Sequence, residues 1–421
     1  MGDKTTGRAG AGVIVAICFF IAALEGYDIQ AFGVAAPRFA PELGLDSGQL
    51  GWAGSAAMIG LVIGAFVGGL LADKVGRKPV LVVSTALFGV FSVVTAMSHG
   101  YDHMLLARFA TGLGFGGAMP NLIAIATEIS APNRRAATVT TIFCGMPAGG
   151  AAVALLARYG GDAVDWRMMF LIGGALPLLL TPVIIFLLPE TRPVQDKAAD
   201  RNLFRALFGQ GRAIPTLLLW AVFMMTLVVL YLLLNWLPTL VIAKGLAASD
   251  GASAAFVFNI SSIIGALFLG FVVDRVGFRW PLLIVYLALA AALYGLGGAS
   301  ALTPLLALSG AAGFLVIGAQ YALYALAPVY YAPQVRAAGA GAAVAVGRFG
   351  SILGPLLAGE LRAAGYSADQ VFGALLPVVA LAGLAAFALT SIGKAYRTDA
   401  TGTSPLARSG ALGLPADREH P

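Results

Sequence analysis

A short charged segment occurs twice in this chain, about 200 residues apart. Residues 69–78 read GLLADKVGRK, and residues 270–279 read GFVVDRVGFR. Each copy follows one long apolar run and precedes another. A duplicated half of this kind, with a charged turn between two membrane helices, is typical of secondary transporters. The chain is therefore predicted to fold as two related halves, each with its own charged turn.

The composition places both halves in a membrane. Of the 421 residues, 59% are hydrophobic and 11% are charged, whereas about a quarter of a soluble protein is charged. Apolar stretches long enough to cross a bilayer recur along almost the whole sequence. They predict an all-α membrane protein with twelve transmembrane helices in two pseudo-symmetric six-helix bundles. The predicted helices span residues 12–36, 50–72, 79–97, 103–127, 136–157, 167–188, 214–239, 252–273, 280–299, 302–329, 337–359 and 369–393.

A polar segment separates the two predicted bundles. Residues 1–188 form the first bundle, 189–212 a cytoplasmic linker and 213–395 the second bundle. The tail 396–421, rich in Gly, Pro, Ala and Ser, is predicted to be disordered. Most of the 26 Lys and Arg residues fall in loops on one side of the predicted helices. Because positively charged loops stay in the cytoplasm, both termini are predicted to be cytoplasmic, in a bacterial-type inner membrane.

Several classes of function are disfavoured by the residue patterns. No G-x-x-x-x-G-K-[ST] loop is present, so ATP is not the expected energy source, and no motif predicts a catalytic residue. Cys18 and Cys144 fall in apolar runs, which predicts buried thiols without a disulfide. The three histidines lack ligand-like spacing and predict no metal site. The net charge of +6 is spread over short loops and does not indicate nucleic-acid binding.

Several residues of the first charged turn have physical roles that follow from their type and position. Gly69 is expected to permit close helix contact, and Gly76 to allow a tight turn. Asp73 is placed to accept hydrogen bonds at the N-terminal end of a neighbouring helix, where negative charge is favoured. Positive charge that holds the turn on the cytoplasmic side comes from Lys74, Arg77 and Lys78.

This turn matches G-x-x-x-D-[RK]-x-G-R-[RK], the signature loop of the major facilitator superfamily, and the chain resembles that superfamily over nearly all of residues 12–393. The resemblance implies a latch that locks the outward-facing state and slides during exchange. The alternative is a topological anchor only. The second copy keeps Asp274 and Arg275 but has Phe278 in place of the first copy's arginine, so a weaker latch is expected there. Residues 108–116, RFATGLGFG, also resemble the superfamily's R-x-x-x-G-x-G-x-G pattern.

Two further stretches resemble the aromatic acid:proton symporter family. Residues 24–30, LEGYDIQ, are similar to its D-G-x-D element, with Glu25 in place of the first Asp. Residues 231–239, YLLLNWLPT, are similar to its Y-x-x-x-x-W-L-P-T stretch. The Glu variant resembles the branch that carries hydroxyphenylpropionate-type acids. The resemblance implies proton-coupled uptake of an aromatic carboxylate, such as a hydroxybenzoate or a hydroxyphenylpropionate.

Ionisable residues inside the predicted helices need a reason, because each costs about 2.5 kcal/mol or more in a bilayer core. Glu25 and Asp28 are three residues apart and share one helix face. Two carboxylates in a low dielectric do not both ionise cheaply, which suits a proton carrier. Asp28 is predicted as the main proton site, with Glu25 as second carboxylate and Arg108 as counter-charge. The alternative is a purely structural pair of one carboxylate with Arg108.

Arg348, near the middle of the eleventh predicted helix, has no acidic residue in the membrane core of the second bundle to pair with. A guanidinium can hold a carboxylate by two parallel hydrogen bonds. Arg348 is therefore predicted to bind an anionic substrate, a role that the family resemblance also implies. The alternatives are bonds to backbone carbonyls or snorkelling toward water.

Aromatic and polar side chains are candidates to complete the substrate pocket. Rings stack on a phenyl group, and their polar tips bond ring hydroxyls. Each residue alone could equally be ordinary helix packing, and Trp236 could be an interfacial anchor or a gate. The candidates are Tyr27, Tyr231, Asn235, Trp236, Gln320, Tyr321 and Tyr324.

These features predict a symporter that imports an aromatic carboxylate by alternating access, with protons as the coupling ion and no cofactor. Its expected partners are the substrate, protons and membrane lipid, and it is expected to act as a monomer. One alternative is a proton-coupled drug or metabolite exporter of the same fold, given the glycines of the fourth helix. Another is a non-transporting membrane sensor, a class that predicts a soluble signalling or ligand domain.

Overall fold

The computed structural model of the protein describes residues 10–130, 135–160, 164–190, 207–209, 211–331 and 335–392. Within them lie twelve helical spans, each long and apolar enough to cross a membrane, which confirms the predicted all-α architecture. The spans are α1 (Ala11–Glu42), α2 (Ser47–Val75), α3 (Arg77–Ala96), α4 (Tyr101–Ile129), α5 (Arg135–Phe143 and Gly145–Tyr159), α6 (Trp166–Leu187), α7 (Ala213–Ile242), α8 (Ala248–Val276), α9 (Arg279–Gly298), α10 (Leu302–Leu326), α11 (Arg336–Ala363) and α12 (Ala368–Ile392).

The first helix is longer than its apolar pattern predicts. The predicted end was residue 36, but α1 continues to Glu42 through two prolines. Packing carries it past that point, because Phe39 is buried and its ring centroid lies 5.6 Å from that of Trp166. Arg38, the charge that marks the end of the apolar run, donates a hydrogen bond to the carbonyl of Val164 at 2.6 Å.

The fifth span is broken where one continuous helix is predicted. Its two segments meet at Cys144, between Phe143 and Gly145. Pro147 follows, and because proline has no N–H it leaves the carbonyl of Phe143 without its helical partner. The tenth span also departs from its predicted end, since α10 stops at Leu326 and a 3₁₀ turn follows over Ala327–Tyr330.

The helix contacts repeat between the two halves of the chain. In the first half α2 packs on α4, α1 on α5 and α3 on α6. Six helices later, α8 packs on α10, α7 on α11 and α9 on α12. The halves meet through α1 with α7, α2 with α11 and α5 with α8. These contacts define two six-helix bundles related by a pseudo-two-fold axis.

The two ends of the molecule differ in how the bundles meet. We call the end with the turns around Gly76 and Gly277 the motif end, and the end with the turns after α1 and α11 the distal end. At the distal end the backbones of α2 and α11 are so close that a Cβ added to Gly51 would lie 2.9 Å from the Cα of Gly359. Toward the motif end a cavity separates the bundles.

Of the two glycines with a predicted role in the first charged turn, one has that role in the structure. Gly76 has a φ of +100°, in keeping with a tight turn. The expected close helix contact at Gly69 is wrong, because nothing lies within 4 Å of where its Cβ would be. Its neighbour Gly68 makes that contact instead, with its added Cβ 2.6 Å from the Cα of Gly117 in α4.

The charged side chains of the two turns stay within their own bundle or face outward. Arg77 forms an ion pair with Glu128 at the end of α4, and Lys78 is half-buried. No described residue donates a hydrogen bond to the carboxylate of Asp73. Four charged side chains of the turns are exposed, namely Asp73, Lys74, Asp274 and Arg275. In this conformation the turns therefore leave the motif end of the cavity unlatched.

The predicted tail, 396–421, and most of the predicted linker, 189–212, lie outside the described residues. Within the linker, Leu207 is buried, and its carbonyl accepts a hydrogen bond from the Thr216 hydroxyl at 2.8 Å.

Candidate functional site

A cavity of about 670 Å³ lies between the bundles, in the half of the molecule nearer the motif end. Helices α2, α4 and α5 line it from the first bundle, and α10 and α11 from the second. Most of its lining is apolar or aromatic. Among the residues described in that lining, Arg348 alone is charged.

A smaller chamber of about 70 Å³ continues from this cavity toward the distal end. Four side chains line both spaces and form the boundary between them: Phe143, Tyr321, Tyr324 and Arg348. A molecule that enters from the motif end meets these four side chains before it reaches the chamber.

Arg348 is held at this boundary by one hydroxyl group. Its Nη1 donates a hydrogen bond to the Tyr231 hydroxyl of α7 at 2.9 Å. Its charge also interacts across the bundle interface with that of Glu25 on α1. Among the described residues no carboxylate forms an ion pair with Arg348, and the acidic side chain whose charge acts on it belongs to the other bundle.

Glu25 is buried and has no hydrogen-bond partner. Its side chain is 0% exposed, and neither of its carboxylate oxygens accepts a hydrogen bond from any residue that the structure describes. A buried carboxylate without donors is costly as an anion and is accommodated far better as the neutral acid. Glu25 is thus placed to hold a proton close to Arg348.

Asp28 has a different environment inside the first bundle. Its Oδ2 accepts a hydrogen bond from Nη1 of Arg108 at 2.6 Å, and its Oδ1 accepts one from Ser92. The Arg108 guanidinium also lies 5.4 Å and 5.7 Å from the ring centroids of Phe32 and Phe170. The pair that the sequence predicts between Asp28 and Arg108 is present, and both oxygens of the Asp28 carboxylate accept a hydrogen bond. Nε of Arg108 has no hydrogen-bond partner among the described residues.

An aromatic cluster closes the boundary between cavity and chamber. The Phe143 ring of α5 is stacked on Tyr324 of α10, with centroids 6.2 Å apart and planes 23° apart. It also meets Tyr321 edge-on at 6.0 Å. Phe143 was not predicted as a site residue. The signal that could have revealed it is the Cys-Gly-x-Pro sequence that follows and breaks α5 at this point.

The predicted aromatic and polar candidates fall into two groups. Tyr231, Gln320, Tyr321 and Tyr324 line the chamber as predicted. The structure does not bring the other three to its lining. Asn235 donates to the Tyr231 carbonyl at 2.9 Å, and Trp236 is buried and donates to the Pro355 carbonyl at 3.1 Å. Tyr27 is buried beside Gly173, so these three pack helices together.

Hydrogen bonds between the bundles close the distal side of the chamber. Gln30 of α1 and Asn259 of α8 form a reciprocal amide pair, with donor–acceptor distances of 3.0 Å and 2.5 Å. Nearby, the Ser55 hydroxyl donates to the Ile352 carbonyl at 2.7 Å. Sequence reasoning missed this amide pair, because neutral amides 229 residues apart give no pattern that links them.

The sequence predicts neither a metal site nor a disulfide. Within the described parts of the chain, no group of three or more His, Cys, Asp or Glu residues is arranged to hold a metal ion. Cys18 and Cys144 are both free thiols.

Two pseudo-symmetric six-helix bundles around a central cavity that is closed at one end define a secondary transporter of the alternating-access class. Residues 18–355 match the model of the Major Facilitator Superfamily, and the chain belongs to that superfamily.

Curated relatives agree with this assignment over almost the whole chain. The chain is 41% identical over 377 residues to the 3-(3-hydroxy-phenyl)propionate transporter of Escherichia coli (strain K12), a match that covers 90% of this chain and 93% of that protein. It is 35% identical over 403 residues to the 4-hydroxybenzoate transporter PcaK of Pseudomonas putida, covering 88% and 90% of the two proteins. The predicted resemblance to aromatic acid transporters is confirmed.

The fold is also similar to that of solved transporters. A bacterial homolog of the human lysosomal transporter Spinster, solved in an inward-facing and occupied conformation, superposes with a TM-score of 0.77. The two proteins share 17% sequence identity, and the match covers 94% of this chain and 100% of the other.

Proposed function

We propose that the protein is a proton-coupled symporter that imports an aromatic carboxylate, such as a hydroxyphenylpropionate or a hydroxybenzoate. The observation that carries this proposal is the position of Arg348. Among the described lining residues it alone is charged, and one hydroxyl group holds it. The carboxylate whose charge acts on it from the other bundle has no hydrogen-bond partner among the described residues.

The substrate carboxylate binds the Arg348 guanidinium. Only one of its nitrogens donates to Tyr231, so other N–H groups are available to donate to the two oxygens of a carboxylate. The rings of Phe143, Tyr321 and Tyr324 beside it offer faces and edges to an aromatic ring. This combination suits a flat organic anion better than a cationic drug, which the positive charge of Arg348 would repel.

Coupling to protons follows from the position of Glu25. An ionised Glu25 competes with the substrate carboxylate for the same guanidinium, and two anions beside one cation in a low dielectric are costly. A proton on Glu25 removes that competition, so proton and substrate favour each other's binding. We therefore assign Glu25 as the carboxylate that takes up the transported proton, in place of the sequence-based choice of Asp28. Asp28 and Arg108 are assigned a structural role.

The motif end is assigned to the cytoplasm because its loops are the most basic. In that orientation both termini are cytoplasmic, the protein spans a bacterial inner membrane, and the conformation described is inward-facing. In the outward-facing state we expect the exposed Asp73 to dock on the opposite bundle. The transporter works as a monomer in this proposal and uses protons rather than ATP or a cofactor.

Uptake into proteoliposomes tests the proposal. The probe is labelled 3-(3-hydroxyphenyl)propionate, added outside at acid pH with a neutral interior, with and without a protonophore. Gradient-dependent accumulation is expected from the wild-type protein. Arg348→Ala removes two hydrogen bonds to a charged group and is expected to lower uptake by about 100-fold.

A second arginine provides a matched control for charge removal. Arg38→Ala removes a guanidinium that binds a backbone carbonyl outside the cavity lining, and it is expected to retain uptake. Robust uptake by Arg348→Ala would eliminate it as the carboxylate anchor. Uptake that ignores the gradient would make the protein a uniporter. Export of organic cations without any uptake of aromatic acid would assign it to the exporter class.

A further inference from the structure

Gln320 of α10 is a buried amide whose polar atoms are both unused. Its side chain is 2% exposed, and it lines the small chamber together with Arg348. Neither Nε2 nor Oε1 has a hydrogen-bond partner among the residues that the structure describes. Buried polar groups are nearly always hydrogen-bonded, so an amide with two unmet atoms in a chamber needs an explanation.

Three polar side chains of the chamber lining are already engaged in hydrogen bonds with other groups. Gln30 and Asn259, the other amides of the chamber lining, bind each other reciprocally. Tyr231 is engaged with Arg348. The unmet donor and the unmet acceptor of Gln320 are therefore available to a ligand in the chamber.

A phenolic hydroxyl fits these two atoms. It donates one hydrogen bond and accepts another, so its O–H can donate to Oε1 while its oxygen accepts from Nε2. Gln320 and Arg348 line the same small chamber, so one aromatic acid that binds there meets both side chains. A carboxylate at one edge of the ring and a hydroxyl at another would satisfy both residues.

We propose that Gln320 recognises a ring hydroxyl of the substrate and makes the transporter selective for hydroxylated aromatic acids over their unsubstituted analogues. This inference rests on the proposed function, because it presumes that Arg348 holds the carboxylate. A site built to hydrogen-bond a substrate hydroxyl rejects the analogue that lacks it, since the buried polar group then stays unpaired. An acid without the hydroxyl leaves both Gln320 atoms unmet.

The test compares two acids that differ only by the hydroxyl. Uptake of 3-(3-hydroxyphenyl)propionate and of 3-phenylpropionate is measured in proteoliposomes under the same proton gradient, for the wild-type protein and for Gln320→Leu. The wild-type protein is expected to favour the hydroxylated acid in kcat/KM by about tenfold or more. Gln320→Leu, which replaces the amide with an apolar group of similar size, is expected to bring that ratio close to one.

Gln30→Leu is the matched control, because it removes an amide of the same chamber that is already paired. It is expected to change uptake of both acids by the same factor and to keep the ratio. A wild-type protein that takes up both acids equally well overturns the inference while leaving the proposed function in place. So does a Gln320→Leu protein that keeps the wild-type ratio or loses both acids equally. A wild-type protein that takes up neither acid overturns the proposed function and this inference with it.

Discussion

Two carboxylates on α1, Glu25 and Asp28, lie three residues apart, yet their surroundings differ. Asp28 accepts hydrogen bonds from Arg108 and Ser92, all within the first bundle. Glu25 accepts none from the described residues and faces an arginine of the other bundle. Both side chains are fully buried, so burial alone does not separate their roles. The comparison indicates that a satisfied buried charge holds one bundle together, whereas an unsatisfied one between bundles responds to ligand and motion.

The largest effect that separates the two carboxylates is on stability. Asp28→Asn leaves the Arg108 guanidinium buried without its counter-ion, and breaking a buried pair in this way costs about 3–5 kcal/mol. We expect a large fall in the thermal unfolding midpoint of the purified protein. Replacing Arg108 by Met in the same protein removes both charges and is expected to recover much of the loss. Equal destabilisation by Glu25→Gln would contradict the comparison.

The second effect is on coupling. Glu25→Gln mimics the protonated acid, so binding no longer depends on a proton at this position. In the wild-type protein, substrate affinity is expected to fall by about tenfold per unit as the pH rises past the titration of Glu25, because one proton must be taken up with the anion. The variant is expected to bind with a flat pH profile. Binding can be measured by isothermal titration calorimetry at several pH values.

The same variant is also expected to equilibrate substrate without accumulating it against a gradient. Counterflow in proteoliposomes is the control, since it needs no proton gradient and should survive in Glu25→Gln. A variant that still accumulates substrate would return the proton-carrying role to Asp28.

The third effect concerns the hydroxyl that positions Arg348. Tyr231→Phe removes the hydrogen bond to the guanidinium, and hydrogen bonds to charged groups contribute about 1.5–3 kcal/mol. We expect KM to rise by about tenfold, while the maximal rate changes little, since the charge itself remains. A fall in maximal rate at unchanged KM would show that Tyr231 acts in the conformational change rather than in binding.

The smallest effect concerns the hydroxyl of Ser92, which binds Asp28. Ser92→Ala removes one of the two groups that bind this carboxylate, while Arg108 remains. The expected loss is about 1 kcal/mol of unfolding free energy, with coupling and substrate affinity unchanged. A change in coupling at constant stability would mean that the Asp28 cluster belongs to the proton route.

Much of the fold could be predicted because membrane spans leave a signal in every residue of the segment. The twelve apolar runs, the duplicated turn and the Asp28–Arg108 pair all follow from what a bilayer tolerates. Helix ends were less accurate where packing or proline decides them, as at Phe39 and Pro147.

The influence of Glu25 on Arg348 across the bundle interface could not be predicted for a geometric reason. Residues three apart on a helix point in directions about 60° apart, enough for Asp28 to face Arg108 within its bundle while Glu25 faces the interface. Spacing places both on one face, but only the packing of neighbouring helices tells which neighbour each side chain meets. Neutral contacts between the bundles, such as Gln30 with Asn259 or Phe143 with Tyr324, leave no anomaly in the sequence that reports them.

The close approach of α2 and α11 at the distal end limits how far the bundles can rotate. A Cβ at Gly359 would lie 2.7 Å from the Cα of Gly51, so closure ends where two backbones touch. A single methyl group added at either position would stop the rotation early and leave the distal end partly open. This part of the closed distal end therefore depends on two missing side chains, and alanine at either position is expected to favour the state in which the distal end is open.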